Sequence, residues 1–187
     1  VLTVGRLIPT KHIDRMIQLF AKINNPEWKL VIVGGDALRL SLSKELKKLI
    51  SELNLEDTVI LEGEQKEVDT YYNRSKVFAF TSSSEGFPNV IGEALSAGLP
   101  VVAYDCVAGP ADMITNGENG FLIEEFDDET FREKLELLMF DKKLRKNMSL
   151  NSKKIISNYN VEEIANQFYN FILSGIGLNS NNALSRE

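Results

Sequence analysis

Short, continuously apolar runs alternate with stretches of helical periodicity along most of the chain, and this alternation restricts the fold more than any other feature. The runs are Val1-Leu2-Thr3-Val4, Lys29-Leu30-Val31-Ile32-Val33, Thr58-Val59-Ile60-Leu61, Val77-Phe78-Ala79-Phe80, Leu99-Pro100-Val101-Val102-Ala103-Tyr104 and Phe121-Leu122-Ile123. A strand with one wet face alternates apolar and polar residues. These runs do not alternate, so both faces of their sheet must be covered. Between them Ile13, Met16, Ile17, Phe20 and Ile23 recur at three- and four-residue intervals, as do Leu42, Leu46, Leu49, Ile50 and Leu53. That spacing predicts amphipathic helices. Val68, Tyr71 and Tyr72 predict a short third helix, and Pro110 to Ile114 a helical turn. The fold class is therefore α/β, a Rossmann-like parallel sheet with helices on both faces.

From Asp127 the pattern is helical, with one stripe at Phe131, Leu135 and Leu138 and another at Leu144, Met148 and Ile155. Tyr159-Asn160 breaks the run, and Val161, Ile164, Phe168, Phe171 and Ile172 mark a last helix. Residues 175–187 are polar and are expected to form a disordered tail, leaving residues 1–174 as one domain. The chain opens at Val1 inside an apolar run, so it reads as a fragment whose upstream part is missing.

Composition narrows the partners. A net charge of −6 argues against a general nucleic-acid binder, which needs a basic face. One cysteine, Cys106, and one histidine, His12, exclude an internal disulfide and any metal site rich in either residue. No apolar run is long enough to span a bilayer and no signal peptide is visible, so a cytoplasmic setting is expected.

Ligands of parallel sheets sit beyond the carboxyl ends of the strands. Four loops lie there: Gly5 to Lys11, Gly34 to Asp36, Glu62 to Gln65, and Ser82 to Asn89. The last joins a buried strand to a helix that stops at Gly98. Its Gly86-Phe87-Pro88 segment empties onto the first helical turn, with Glu85 before it and Glu93 after it. A helix start offers N–H groups and partial positive charge to a phosphate. A carboxylate is an acceptor matched to sugar hydroxyls. Pro88 is placed at the first helical position, where its missing N–H costs nothing. Gly86 permits close backbone approach, and Gly92, Ala94 and Ala97 let the helix press on its surroundings.

The eight-residue spacing of Glu85 and Glu93 means little by itself, since Glu56 and Glu64, and Glu125 and Glu133, share it. Context separates the first pair. Arg6 and Lys11 leave the first strand end around a proline; they either clamp a diphosphate or are ordinary solvated charges. Gly34-Gly35-Asp36 reads as a plain strand-to-helix turn ahead of a phosphate cradle. His12 reads as structural or solvent-facing, and Cys106 as packed. Asp105 and Asp112 lack the clustering of a metal site.

Gly5-Arg6-Leu7-Ile8-Pro9-Thr10-Lys11 resembles the GR-x-x-P-x-K element of the group-one (family-four) retaining glycosyltransferases. Glu85-Gly86-Phe87-Pro88-Asn89-Val90-Ile91-Gly92-Glu93-Ala94 resembles their E-x7-E motif. Ala97 to Ala103 and Asn116 to Leu122 resemble the two segments that follow it. The match runs in order from Val1 to about Leu173. The resemblance implies the carboxyl-terminal, donor-binding domain of a GT-B enzyme, whose amino-terminal acceptor domain is absent here. It implies that Arg6 and Lys11 hold the donor diphosphate and that Glu93 accepts from the ribose hydroxyls. It places Glu85 beside the transferred sugar with the backbone of Gly86, Phe87 and Pro88, and the backbone of Asn89 and Val90 at the phosphate. His12 departs from the pattern, since the family commonly has glycine after the lysine.

The activity implied is retaining transfer from a nucleotide-diphosphate donor, expected to be a UDP-sugar. The acceptor is a glycan or lipid-linked acceptor in surface polysaccharide assembly, the setting is the cytoplasm or the inner membrane face, and neither cofactor nor metal is required. Two other readings stay open: a nucleotide-sugar epimerase of the same fold, and a non-catalytic nucleotide-sugar-binding module.

Overall fold

Each apolar run becomes a parallel strand. The computed structural model describes residues 1–157 and 161–175. Its six strands are β1 (Leu2–Val4), β2 (Leu30–Val33), β3 (Val59–Gly63), β4 (Phe78–Phe80), β5 (Val101–Tyr104) and β6 (Gly120–Ile123). They form one sheet in the order β3-β2-β1-β4-β5-β6. The helices are α1 (Ile13–Ile23), α2 (Leu42–Glu52), α3 (Val68–Arg74), α4 (Asn89–Ser96), α5 (Pro110–Met113), α6 (Asp128–Phe140), α7 (Lys142–Ile156) and α8 (Val161–Gly175).

The pleat sends successive side chains to opposite faces, and both faces are filled. Val77 and Ala79 join Met16, Ile17 and Phe131 in one cluster, beneath α1, α2 and α6. Phe78 and Phe80 join Tyr72, Ile91 and Leu95 in the other, beneath α3 and α4. Phe78, Phe131 and Tyr104 have no exposure at all. Burial of a large apolar side chain stabilises by about 1.5–3 kcal/mol, so these positions hold the layers together.

Strand boundaries depart from the apolar runs where proline and glycine intervene. β5 begins only at Val101: Pro100 has no N–H for the ladder, although its carbonyl accepts from Phe78 N at 3.0 Å. β3 runs on to Gly63, across a register shift opposite Ile32 and Val33, and Gly63 O accepts from Gly34 N at 2.7 Å. The long helical stretch divides at Asp141. This residue ends α6, and its carboxylate accepts from Leu144 N at 2.8 Å as the cap of α7. The predicted last helix is α8, which includes Gly175, the first residue of the predicted tail; Tyr159-Asn160 and residues 176–187 lie outside the described residues.

The chain crosses between halves of the sheet at β1 and β4, paired through Leu2 and Phe78, with Leu2 N donating to Val77 O at 2.9 Å. The loops after these two strands run outward beside each other. This is the switch point at which open α/β sheets leave a crevice.

Candidate functional site

The loop after β1 is built to meet the loop after β4. Leu7, 3% exposed, anchors it, and Leu7 N donates to Gly35 O at 2.8 Å. A 3-10 turn, Pro9–Lys11, then ends at His12, which adopts the left-handed conformation with φ 48° and leads into α1. Gly34 stands against this loop so closely that a Cβ there would lie 1.8 Å from the carbonyl oxygen of Gly5, so only glycine fits.

A hydroxyl run after β4 supplies the cross-links. Thr81 Oγ1 donates to Lys11 O at 2.9 Å, and Ser82 Oγ to Thr10 O at 3.2 Å. Ser83 N also donates to Thr10 O, at 2.9 Å. His12 Nε2 and Ser83 Oγ are hydrogen-bonded at 2.8 Å, and the imidazole meets Phe126 edge-on at 5.2 Å. Thr81 and Ser82 are buried, so these bonds form away from water, where an unmade one would be costly. His12 thus takes its structural reading.

Lys11 and Glu85 face each other from the two loops and form an ion pair, their side chains 16% and 14% exposed. The Lys11 ammonium also lies 5.5 Å from the centre of the Phe80 ring. Arg6 is exposed and makes no ion pair or hydrogen bond with a described residue. It borders a cleft of about 250 Å³ with Gly34, Gly35, Glu64 and Gln65, beyond the ends of β1, β2 and β3. Asp36, at the rim, accepts from Ser43 N at 2.8 Å and steadies the start of α2, as a plain turn would. Those hydrogen bonds from the Ser43 side chain and backbone hold its carboxyl below the usual range.

Gly86, Phe87 and Asn89 are exposed along the loop into α4. Nothing lies within 4 Å of a Cβ built on Gly86. Pro88 is the N-cap of α4, one position earlier than its sequence placement, because Asn89 N turns back to Phe87 O at 3.0 Å. No side chain caps α4; the Asn89 N–H is taken by Phe87 O, and the Val90 N–H of the first turn has no side-chain partner among the described residues. Pro88 is itself buried. A Cβ on Gly109, which has φ +110°, would stand 2.2 Å from Pro88 Cδ. A Cβ built on Gly92 would meet Met113 and Ile156 only at ordinary contact distance, so glycine is not required there; Ala94, on the same helix, is fully buried.

One turn into α4, exposed Glu93 accepts a hydrogen bond at 2.7 Å from the hydroxyl of Tyr72 in α3. Tyr72 is 2% exposed; burial, then the Glu93 carboxylate, push its phenol well above the ordinary range and keep it a neutral donor. Cys106 is packed in the core, and burial raises its thiol. Among the described residues no group of three or more His, Cys, Asp or Glu is arranged to hold a metal ion.

The structure thus brings Lys11 and Glu85 together between the loops after β1 and β4, with Glu93 on the helix that follows, while Arg6 borders the separate cleft beyond the ends of β1, β2 and β3. Sequence reasoning missed Thr81, Ser82 and Ser83, which assemble the loops, Tyr72, and Gly109. The unbroken run Thr81-Ser82-Ser83-Ser84 directly after a buried strand was the available signal for the first three. Tyr72 carried none beyond its helical spacing.

The amylovoran biosynthesis glycosyltransferase AmsD of Erwinia amylovora is 34% identical over 149 residues, covering 80% of this chain and 41% of that protein. Anabaena Alr3699/HepE in complex with UDP superposes with a TM-score of 0.83 at 28% identity, covering 92% of this chain and 48% of that one. The carboxyl-terminal domain of LpcC, a group 1 glycosyl transferase family protein of Francisella tularensis, gives 0.77 at 26% identity and covers 86% of each chain. The chain spans less than half the length of the full-length relatives among these. The profile of the family described as glycosyl transferases group 1 matches residues 1–155. On this match, and on the switch-point geometry that accompanies it, the chain belongs to the group 1 glycosyltransferases and has the Rossmann-like fold of a carboxyl-terminal GT-B domain.

Proposed function

We propose that this chain is the donor-binding part of a retaining glycosyltransferase. It takes a sugar from a nucleotide-diphosphate donor, a UDP-sugar, and passes it to a glycan or lipid-linked acceptor in surface polysaccharide assembly. An upstream domain of the same protein presents the acceptor. The observation that carries this reading is the Lys11–Glu85 ion pair, which ties the β1 loop that also bears Arg6 to the loop that leads into α4. The complex of Alr3699/HepE with UDP supports the choice of nucleotide, and the role of AmsD in amylovoran biosynthesis supports the class of product.

In this reading the diphosphate lies between Arg6, Lys11 and the first turn of α4. As the sugar leaves, negative charge builds on the phosphate oxygens and positive charge on the anomeric carbon. Arg6, Lys11 and the α4 N–H groups stabilise the first charge without a metal ion. Glu85, beside the sugar and within reach of Lys11, answers the second. The acceptor attacks from the face the diphosphate leaves. The backbone of Gly86, Phe87 and Pro88 lines the sugar, that of Asn89 and Val90 the phosphate, and Glu93 the ribose.

No helix among the described residues is long and apolar enough to cross a membrane. We place the reaction in the cytoplasm, at the inner membrane face where a lipid-linked acceptor is reached. Calorimetric titration with UDP and GDP tests the assignment. UDP binding that weakens in Arg6→Ala, and transfer by the full-length protein that survives EDTA, are the results expected. Failure of every nucleoside diphosphate to bind at millimolar concentration would overturn it.

A further inference from the structure

Glu93 is an exposed carboxylate that no cation among the described residues neutralises. Elsewhere the paired carboxylates of this crevice and its flank take a positive partner, Glu85 from Lys11 and Asp128 from Arg15. Glu93 has no ion-pair partner among the described residues. It has instead a neutral donor, the Tyr72 hydroxyl, 2.7 Å from Oε2. Among the described residues the only other acceptor for that hydroxyl is Val90 O, at 3.5 Å, the outer limit of a hydrogen bond.

The donor is held rigidly. Tyr72 is buried between α3 and the sheet, and its ring packs on Phe78 of β4 with centroids 5.8 Å apart. A free glutamate on a helix surface samples many rotamers, and a ligand that needs one of them loses affinity in ordering it. Bonding one oxygen to a fixed phenol selects the rotamer beforehand. It also leaves most of the acceptor capacity, since an ionised carboxylate offers about four lone-pair sites and the phenol occupies one. A cation in the same place would have neutralised the charge that a diol recognises. A phenylalanine would pack as well but would leave the carboxylate loose.

Accepting Glu93 as the ribose acceptor, on which this inference rests, we propose that Tyr72 is a positioning residue that fixes Glu93 to read the vicinal hydroxyls of the donor ribose. It thereby sets the preference for a ribonucleotide over a deoxyribonucleotide. Tyr72 does not touch the nucleotide; its effect passes through one carboxylate.

The test is calorimetric titration of this chain with UDP and with 2′-deoxy-UDP, for wild type, Tyr72→Phe, Glu93→Gln and the double variant, with thermal melts to confirm folding. Wild type prefers UDP. Tyr72→Phe weakens UDP about tenfold, the scale of one charge-assisted hydrogen bond, and 2′-deoxy-UDP much less, so the preference narrows. The double variant binds UDP no more weakly than Glu93→Gln, because the two residues act as one unit. Glu93→Asp, which draws the carboxylate away from an intact Tyr72, narrows the preference likewise and serves if Tyr72→Phe fails to fold. If Glu93→Gln narrows the preference while Tyr72→Phe and Glu93→Asp leave it unchanged, the proposal for Tyr72 is overturned and the ribose reading stands. If Glu93→Gln leaves UDP binding unchanged, the ribose reading itself is overturned.

Discussion

Lys11 and Glu85, seventy-four residues apart in sequence, close an ion pair across the crevice between the β1 and β4 loops. Both side chains are more than four-fifths covered, so their attraction is screened less than that of a surface pair. If the donor diphosphate binds as proposed, it must compete with Glu85 for the Lys11 ammonium.

That competition separates two substitutions of neighbouring side chains. Lys11→Ala is expected to weaken UDP binding by about 1.5–3 kcal/mol, the contribution of a hydrogen bond from a charged group. Glu85→Ala releases the ammonium and is expected to leave UDP binding intact or tighter, while abolishing transfer in the full-length protein. Titration calorimetry and a radiolabelled sugar-transfer assay read the two effects. Wild-type transfer by Glu85→Ala would remove Glu85 from the chemistry.

Gly109 stands behind the loop that leads into α4. Gly109→Ala sets a methyl group against Pro88, at a backbone angle that disfavours side chains. The loop from Glu85 to Val90 must shift, with an expected loss of about 1–3 kcal/mol of stability. UDP affinity should fall although no ligand-facing side chain has changed. Urea unfolding measures the first effect and calorimetry the second; unchanged affinity would show that the loop moves independently of its support.

Thr81 acts on the other loop. Thr81→Val keeps the shape but removes the hydroxyl that holds Lys11 O, so a loss of about 1 kcal/mol is expected. Because this bond places the residue that bears the ammonium, UDP affinity should drop as well. A variant that loses stability alone would make Thr81 a packing residue only.

The Asp128 cluster predicts a pH response. Burial alone would raise this carboxyl. The hydrogen bonds from Arg15 and Tyr104 outweigh it and hold the pKa below the ordinary aspartate value. A lowered folded-state pKa stabilises above the unfolded-state value and loses that contribution as pH falls through the folded-state value. Asp128→Asn should therefore cost about 1 kcal/mol near neutrality, a small figure because a third of each ionic side chain is exposed. The difference from wild type should vanish below the acid range. Urea midpoints from pH 7 to pH 3 test the sign; a difference that grows on acidification contradicts it.

What could be read from the sequence follows from how far each signal reaches along the chain. Periodicity reports which face of an element is apolar, so the six strands and the two covered faces were legible from Phe78, Ala79 and their neighbours. Strand-end position alone put Lys11 and Glu85 in loops at one edge of the sheet, and the ion pair between them joins those loops. The order of the strands was not legible, because no local pattern says that β4 lies beside β1. The same holds for Tyr72 on Glu93, Thr81 on Lys11 and Gly109 on Pro88. Each is a contact between residues at least twenty-one positions apart, visible only once the crossover has brought the loops together. Pro88 was misplaced by one position because the turn at Phe87, rather than proline propensity, sets the start of α4.

His12 occupies a left-handed backbone conformation that glycine adopts without penalty and other residues at a cost of about 1–2 kcal/mol. The cost is offset by the imidazole's bond to Ser83 and its edge against Phe126, neither of which glycine can make. An otherwise unfavourable residue is therefore the fastener between the two loops. With them already joined, a nucleotide bound as proposed would meet a crevice whose shape is set in advance, and less of its binding free energy would be lost to ordering the protein.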